Sequence, residues 1–176
     1  YCRKNNLGLI IIISDLIEKN NIYWKKATWQ KMLLGEYALK NIKQKIKNIC
    51  FLDVDILINP NSPNIFKYHD PEKISVVSFF KNIPYEFYNT RKLISYYRNK
   101  YYSSRYKLNS IILSSPREMF KYANLKPFND FFCAGLFIFN AKKFSNFFFD
   151  TFFKYKKDVK SMTGGDQTHL NYEVFK

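Results

Sequence analysis

The sequence predicts an α/β fold in which a mostly parallel central sheet is flanked by helices on both faces. Apolar runs of strand length alternate along the chain with amphipathic segments of helical period. This alternation is typical of strands joined by helical crossovers, which cover both faces of a parallel sheet. The 176 residues suit one domain, and a 47% hydrophobic, 19% aromatic composition supplies a core and excludes a disordered chain.

Four apolar runs are predicted strands. Residues 7–13 are rich in β-branched side chains, and residues 47–53 form an apolar run that ends in an aspartate. Residues 73–79 are a third candidate, and residues 131–139 give the strongest apolar run of the chain. Runs of this length, with β-branched and aromatic residues, favour strands over helices.

Helical spacing predicts the elements between these strands. Residues 27–46 place apolar side chains on one helical face, and residues 115–123 begin with a Ser-Pro pair that suits a helix start. Residues 141–160 form a Phe-rich amphipathic helix. After the Gly164-Gly165 break, a last helix is expected to begin near Asp166.

Two segments between these elements have less regular patterns. Residues 59–63 form a turn, in which Ser62-Pro63 has the form of an N-cap followed by proline at the first helical position. Residues 81–107 are rich in Tyr and Arg without a clear period. They are either an irregular insertion or a short helical excursion.

The charge balance favours anionic partners. The chain has 29 Lys and Arg against 14 Asp and Glu, a formal charge of +15. Such an excess suits nucleotide phosphates, nucleic acid or an acidic membrane surface. The basic residues are scattered, with no block of five or six, so part of the excess reflects compositional bias.

Cysteine usage and apolar run lengths exclude other classes. Cys2, Cys50 and Cys133 have no metal-like spacing, which argues against structural zinc and a disulfide framework. No apolar stretch reaches the length of a membrane span, and no signal peptide is visible. Because the sequence has no initiator Met, we expect it to begin inside a longer protein.

The end of the strand at residues 47–53 is the strongest candidate for a functional site. Asp53 and Asp55 stand one residue apart between apolar neighbours. Unpaired carboxylates at a buried strand end are unfavourable, and a hard divalent cation such as Mn²⁺ or Mg²⁺ is a natural partner. A metal there would hold a diphosphate, which indicates transfer of a phosphate-linked group. The alternative is a pair of solvated turn residues.

Further motifs follow this strand in a specific order. Residues 132–140 read FCAGLFIFN, residues 165–171 read GDQTHLN, and residues 29–34 (WQKMLL) offer a basic residue ahead of the acidic pair. Together with residues 1–8 (YCRKNNLG), this order resembles the Rossmann-like GT-A fold of nucleotide-sugar-dependent glycosyltransferases. The closest likeness is to the family 8 and family 34 (galactosyltransferase-like) type.

The resemblance implies one GT-A catalytic domain over residues 1–176, incomplete at both ends. The N-terminal base-binding strand and a C-terminal metal-binding His of such families have no counterpart in this sequence. The implied activity is hexosyl transfer, with retention of configuration, from a nucleotide-diphosphate sugar to an acceptor. Cys133 stands where the family pattern usually has Asn or Ser.

The resemblance also assigns roles around the diphosphate. Asp55 would hold Mn²⁺ or Mg²⁺ against the two phosphates, and Asp53 would support the site through the ribose or through the metal shell. Lys31 would add positive charge there. Ala134 and Gly135 would let the backbone approach the donor sugar closely. For Lys31 the alternative is a surface lysine, and Lys25 and Lys26 are competing choices for its role. For Ala134-Gly135 the alternative is a small pair packed against a helix.

At the sugar end, the resemblance assigns Asp166 to the donor hydroxyls and Gln167 to the neighbourhood of the reacting carbon. We expect both to face the same cleft as Asp55. The alternative for Asp166 is the N-cap of the last helix, and a lone His169 on a helix is more often structural than a ligand or base.

The implied partners are a nucleotide sugar, with a UDP-sugar favoured, and a glycan, lipid-linked or protein acceptor. We expect no nucleic-acid partner, and peripheral membrane association through the basic surface stays open. The expected location is the cytoplasm or a membrane surface for a bacterial or viral protein, and the secretory lumen for a eukaryotic one.

Two other classes compete. A haloacid-dehalogenase-type phosphohydrolase would use Asp53 as nucleophile and Asp55 as acid/base. A non-enzymatic, basic nucleic-acid-binding module would account for the charge and the aromatic residues, but it leaves the acidic pair unexplained.

Overall fold

The computed structural model describes residues 1–79, 81, 86–101, 114–163 and 165–176, and they form a mixed α/β structure. Within this part of the chain the elements are, in order, α1 (Ala27–Gln30), a 3₁₀ turn (Lys31–Leu33), α2 (Leu34–Asn41), β1 (Asn48–Leu52), a second 3₁₀ turn (Ile65–Tyr68), β2 (Ser75–Ser78), α3 (Phe87–Tyr101), α4 (Pro116–Tyr122), β3 (Phe132–Asn140), α5 (Ala141–Lys154) and α6 (Asp166–Phe175).

The described strands form one sheet in the order β1-β3-β2. β1 pairs antiparallel with β3, from Asn48 opposite Asn140 to Leu52 opposite Leu136. Past the end of β2, the Phe79 amide donates to the Phe131 carbonyl, just before β3 begins, at 2.9 Å. The expected mostly parallel arrangement is therefore not found among the described strands. β3 occupies the centre of this order, and β1 lies at one end.

Backbone contacts divide the chain into two compact units, the first comprising Tyr1–Val76 and Gly135–Lys157. Its core is aromatic: Phe148 of α5 packs on Phe137 and Phe139 of β3, with ring centroids 5.1 and 4.6 Å apart. α2 approaches α5 closely at Gly35, where a β-carbon would lie 2.3 Å from Ser145 Oγ. The glycine permits this contact because it presents no side chain.

The second unit comprises Val77–Ala134 and Asp158–Lys176. Phe120 of α4 is fully buried, 5.5 Å from the ring of Phe131 and 5.7 Å from that of Phe128. A capping box starts α4, because Ser115 and Glu118 each accept a hydrogen bond from the backbone N–H of the other. The Ser-Pro pair thus begins this helix as the sequence predicts.

The prediction of a strand at residues 7–13 is wrong. This segment makes no strand pairing, and Leu9, Ile11 and Ile13 are exposed. A β-branched run favours an extended backbone, but a strand also needs a hydrogen-bonded neighbour.

Several helix bounds also differ from expectation. The helix expected over residues 27–46 is interrupted by the first 3₁₀ turn and ends at Asn41, and α5 ends at Lys154 instead of near residue 160. The second 3₁₀ turn is capped by Asn64, whose side chain accepts from the Phe66 amide, and not by Ser62.

The irregular segment at residues 81–107 contains a regular helix, α3, in its described part. Residues 82–85 and 102–107 of this segment lie outside the described residues. Among those that are described, no helix is both long and apolar enough to cross a membrane.

Candidate functional site

The acidic pair lies where β1 ends. The Asp53 amide donates to the Gly135 carbonyl at 2.8 Å, which carries the β1–β3 ladder one residue beyond the strand. The chain then turns, with the Ile56 amide donating to the Asp53 carbonyl at 3.2 Å. Asp53 is half-buried and Asp55, on the turn, is exposed. The strand end therefore holds one carboxylate against the sheet and presents the other to solvent.

Gly135 makes room for the Asp53 carboxylate. A β-carbon at Gly135 would lie 2.7 Å from Asp53 Oδ2 and 3.3 Å from Asp53 Cγ. Any other residue at this position would force the carboxylate to move. The family resemblance implies another role for Gly135, close approach of the backbone to the donor sugar, and the contact with Asp53 was not predicted. Its signal was a glycine inside a buried strand, which often marks close packing by another group.

Lys31 lies on the same side of β1 as Asp53. Its side chain is buried, and its Nζ lies 5.4 Å from the centre of the Phe51 ring. Since side chains two residues apart project from the same strand face, Phe51 and Asp53 share a face. The surface-lysine alternative is therefore wrong. The charge of Lys31 is held near the strand that ends at the acidic pair.

The loop that follows Asp55 is fastened to the start of the chain. The Tyr1 hydroxyl donates to the Pro63 carbonyl at 2.7 Å and accepts from the Ile65 amide at 2.8 Å. These bonds fix the far end of the loop, while Val54 and Leu57, on either side of Asp55, are almost fully exposed.

The donor set at this strand end suits a hard cation. Two carboxylates are oxygen ligands of the kind Mg²⁺ and Mn²⁺ take, and Mg²⁺ commonly binds one or two carboxylates together with waters and substrate phosphates. No group of three or more His, Cys, Asp or Glu is positioned to hold a metal in the described part of the chain. The residues present thus fit a metal shared with a phosphorylated ligand better than a metal enclosed by protein.

The other predicted site residues belong to the second unit. Ala134 is buried in β3, while Asp166 is buried in the first turn of α6 and Gln167 is partly exposed. The N-cap of α6 is Gly165, with φ of 118°, and not Asp166. A carboxylate in the first turn is favoured by the helix dipole. Because Asp55 and Asp166 belong to different units, their common cleft stays a prediction.

Polar side chains hold the start of α6. His169 is buried, and its Nδ1 lies 2.8 Å from the Gly165 carbonyl oxygen. The Thr163 hydroxyl lies 2.9 Å from that of Thr168 and accepts from the Thr168 amide at 3.2 Å. These bonds give His169 and the two threonines a structural task at this helix start.

Asn171 ties α6 to the beginning of β3. Its Oδ1 accepts from the Phe132 amide at 2.7 Å, and its Nδ2 donates to the Phe132 carbonyl at 3.0 Å. The buried side chain thus occupies both backbone groups of one strand residue, as a neighbouring strand would.

Comparison of the chain with protein-family models, with curated proteins and with solved structures gave no match.

Proposed function

We propose that this chain is the catalytic domain of a GT-A-type glycosyltransferase that uses a nucleotide-diphosphate sugar and a divalent metal. The observation that carries the proposal is the pair of carboxylates at the end of β1. Asp53 is packed on Gly135, and Asp55 is exposed on the turn that follows. This placement supports a site that is fixed on one side and open to a ligand on the other.

The residues of the first unit supply the diphosphate end of the proposed site. Asp53 and Asp55 would hold Mn²⁺ or Mg²⁺, which as a Lewis acid would stabilise negative charge on a departing nucleoside diphosphate. Asp53 is oriented by its contact with Gly135, while Asp55 reaches outward from the turn. Lys31 adds fixed positive charge on the same strand face.

The roles proposed at the donor-sugar end of the site come from the resemblance to GT-A glycosyltransferases. Asp166 accepts hydrogen bonds from sugar hydroxyls in this proposal, and Gln167 lies beside the reacting carbon. Of these two residues, Gln167 is partly exposed in the structure and Asp166 is buried.

The test is calorimetric titration of uridine diphosphate into the chain, with and without Mn²⁺, comparing wild type with Asp55→Ala. We expect Mn²⁺-dependent binding in wild type that falls at least about tenfold in the variant, since a charged metal ligand is lost. Asp150→Ala, which removes an exposed carboxylate from α5, is the matched control and should bind like wild type.

Equal affinity of wild type and Asp55→Ala in the presence of Mn²⁺ would exclude a metal-bridged donor site at β1. A phosphatase assay distinguishes glycosyl transfer from the main alternative, a haloacid-dehalogenase-type phosphohydrolase. Hydrolysis of p-nitrophenyl phosphate that is abolished by Asp53→Asn would favour the phosphohydrolase class over glycosyl transfer.

A further inference from the structure

Helix α3 presents an apolar stripe to solvent. Leu93, Tyr96, Tyr97 and Tyr101 are each about half exposed, with relative exposures of 53, 54, 47 and 58%. With Lys100 they occupy positions i, i+3, i+4, i+7 and i+8, which form one face of a helix. We call these five residues the α3 stripe. In a soluble domain such a face normally packs on the core.

The opposite face of α3 is less exposed and more polar. Residues 91, 94, 95 and 98 are Arg, Ile, Ser and Arg, and all four are half-buried. The helix therefore turns its aromatic side outward and a mixed polar side inward. An exposed apolar patch of this kind marks a surface used for binding.

The stripe forms a continuous aromatic surface. The rings of Tyr96 and Tyr97 lie 5.6 Å apart, and those of Tyr97 and Tyr101 lie 6.0 Å apart. The Lys100 ammonium lies 4.9 Å from the Tyr101 ring and 5.6 Å from the Tyr96 ring. Its aliphatic stem thus extends the apolar surface, and its ammonium group lies over the two rings.

The charge of α3 has one sign. Residues 87–101 contain four Lys or Arg and no Asp or Glu, within a chain of formal charge +15. The partner of this surface is therefore anionic as well as apolar. An amphipathic helix with Lys and Arg on its polar side and large apolar side chains on the other is typical of helices that lie in a membrane interface.

We propose that α3 is an interfacial helix that binds the surface of an anionic lipid bilayer through the α3 stripe. Tyrosine suits this boundary because its ring is apolar and its hydroxyl hydrogen-bonds to headgroups. The helix satisfies its backbone groups internally, so its face enters the boundary without leaving polar groups unpaired. The exposed Lys92 and Lys100 side chains lie against lipid phosphates.

The other exposed apolar segment suits a bilayer less well. Residues 9–13 are also exposed, but they form no helix or strand in the structure. A backbone without such pairing pays a desolvation penalty at a hydrocarbon boundary. Single-stranded nucleic acid also stacks on tyrosine, but Leu93 in the stripe offers it neither stacking nor a hydrogen bond.

The test is flotation of the full chain with phosphatidylcholine vesicles, with and without phosphatidylserine. Wild type should float only with the anionic vesicles. Lys92→Gln/Lys100→Gln should weaken this binding by roughly thirtyfold, taking about fivefold per cation near such a surface. Lys43→Gln/Lys45→Gln removes the same charge from exposed lysines elsewhere and should weaken binding less than fivefold.

A second pair of variants tests the apolar contribution to vesicle binding. Tyr96→Ser/Tyr97→Ser should weaken binding at least about tenfold, because two ring contacts with the boundary are lost. Tyr68→Ser/Tyr122→Ser, which changes two exposed tyrosines outside α3, should bind like wild type. Circular dichroism establishes that each variant keeps the helix content of wild type.

Four outcomes would overturn the proposal. The first is no flotation of wild type, and the second is an equal loss of vesicle binding in the α3 variants and their controls. The third is loss of vesicle binding in Ile11→Ser/Ile13→Ser while Tyr96→Ser/Tyr97→Ser binds like wild type. The fourth is binding of a single-stranded oligonucleotide that is tighter than binding of vesicles and that depends on the α3 stripe. The last outcome would assign the surface to nucleic acid instead.

Discussion

The carboxylate of Asp53 lies over the α-carbon of Gly135, where a β-carbon would stand 2.7 Å from Asp53 Oδ2. The two residues face each other where the β1–β3 ladder ends, joined by the bond from the Asp53 amide to the Gly135 carbonyl. The orientation of the first carboxylate therefore depends on the absence of a side chain on the neighbouring strand.

Replacement of Gly135 by alanine should displace this carboxylate. We expect Gly135→Ala to lower the affinity for Mn²⁺ and uridine diphosphate about as much as Asp53→Ala does, because both remove the carboxylate from its place. Overpacking of this size lowers the free energy of unfolding by about 1–3 kcal/mol. Calorimetry measures the first effect and urea denaturation the second.

Two other glycines provide controls. Gly35→Ala would place its β-carbon 2.3 Å from Ser145 Oγ, so it should destabilise the α2–α5 contact and leave ligand affinity unchanged at temperatures where the variant is folded. A β-carbon at Gly8 has no neighbour within 4 Å, and Gly8→Ala should change neither quantity. If Gly35→Ala weakens ligand binding as much as Gly135→Ala, the effect is one of stability and not of carboxylate position.

The second prediction concerns Lys25, which precedes α1 in the sequence and whose buried side chain reaches the C-terminal end of α5. Its Nζ donates to the Phe152 carbonyl and lies 4.2 Å from the Phe152 ring and 4.8 Å from the Trp29 ring. Burial lowers the pKa of Lys25 from its usual 10.5 to about 8, since removal from water disfavours the ammonium form.

Between about pH 8 and pH 10.5 the unfolded chain thus binds a proton that the folded chain has lost. The unfolding free energy contributed by Lys25 therefore rises with pH through this window, by on the order of 3 kcal/mol. Lys25→Met lacks this term, so its stability relative to wild type should fall as pH rises. Urea denaturation at several pH values measures the difference.

Lys26 is the matched control, because it is adjacent in sequence and exposed. Lys26→Met removes the same charge, and its stability relative to wild type should stay flat over this pH range. A flat difference for Lys25→Met as well would show that the Lys25 pKa is not lowered by burial.

The strand end that carries Asp53 was predictable because its causes are local. An unbroken apolar run that stops at two carboxylates indicates both a buried strand and its end. The contact with Gly135 was not predictable, since it depends on the antiparallel register of β1 and β3, whose residues are more than 80 positions apart. The sequence identified Gly135 as a site residue, but the reason for a glycine there follows from the pairing of β1 with β3.

The errors in the predicted fold also arise because strand pairing depends on residues far apart in the sequence. Residues 7–13 have strand composition, yet a strand requires a neighbour that the sequence pattern does not identify. The mostly parallel sheet was inferred from alternating elements, whereas the described strands β1 and β3 run in opposite directions. The helical period of α3 was overlooked because four of the five residues in its stripe are Tyr or Lys and only Leu93 is aliphatic.

The third prediction concerns the amide of Asn171, which holds both backbone groups of Phe132. Asn171→Leu keeps a side chain of similar size but leaves the Phe132 N–H and C=O without this partner. Because unsatisfied buried groups are each unfavourable by about 1–3 kcal/mol, we expect these two to lower the unfolding free energy by roughly 2–6 kcal/mol. Hydrogen exchange at the Phe132 amide should become faster by a matching factor.

Asn41→Leu is the control, because Asn41 is exposed and its Nδ2 donates within its own helix to the Tyr37 carbonyl at 2.8 Å. It should change the unfolding free energy by less than about 1 kcal/mol, since water replaces an exposed hydrogen bond. Unchanged exchange at Phe132 in Asn171→Leu would show that α6 does not hold the start of β3. The placement of Asp166 and Gln167 would then have to depend on the other contacts of α6. These are the hydrogen bonds at its first turn and the ring contacts of Tyr172 and Phe175 with Phe128.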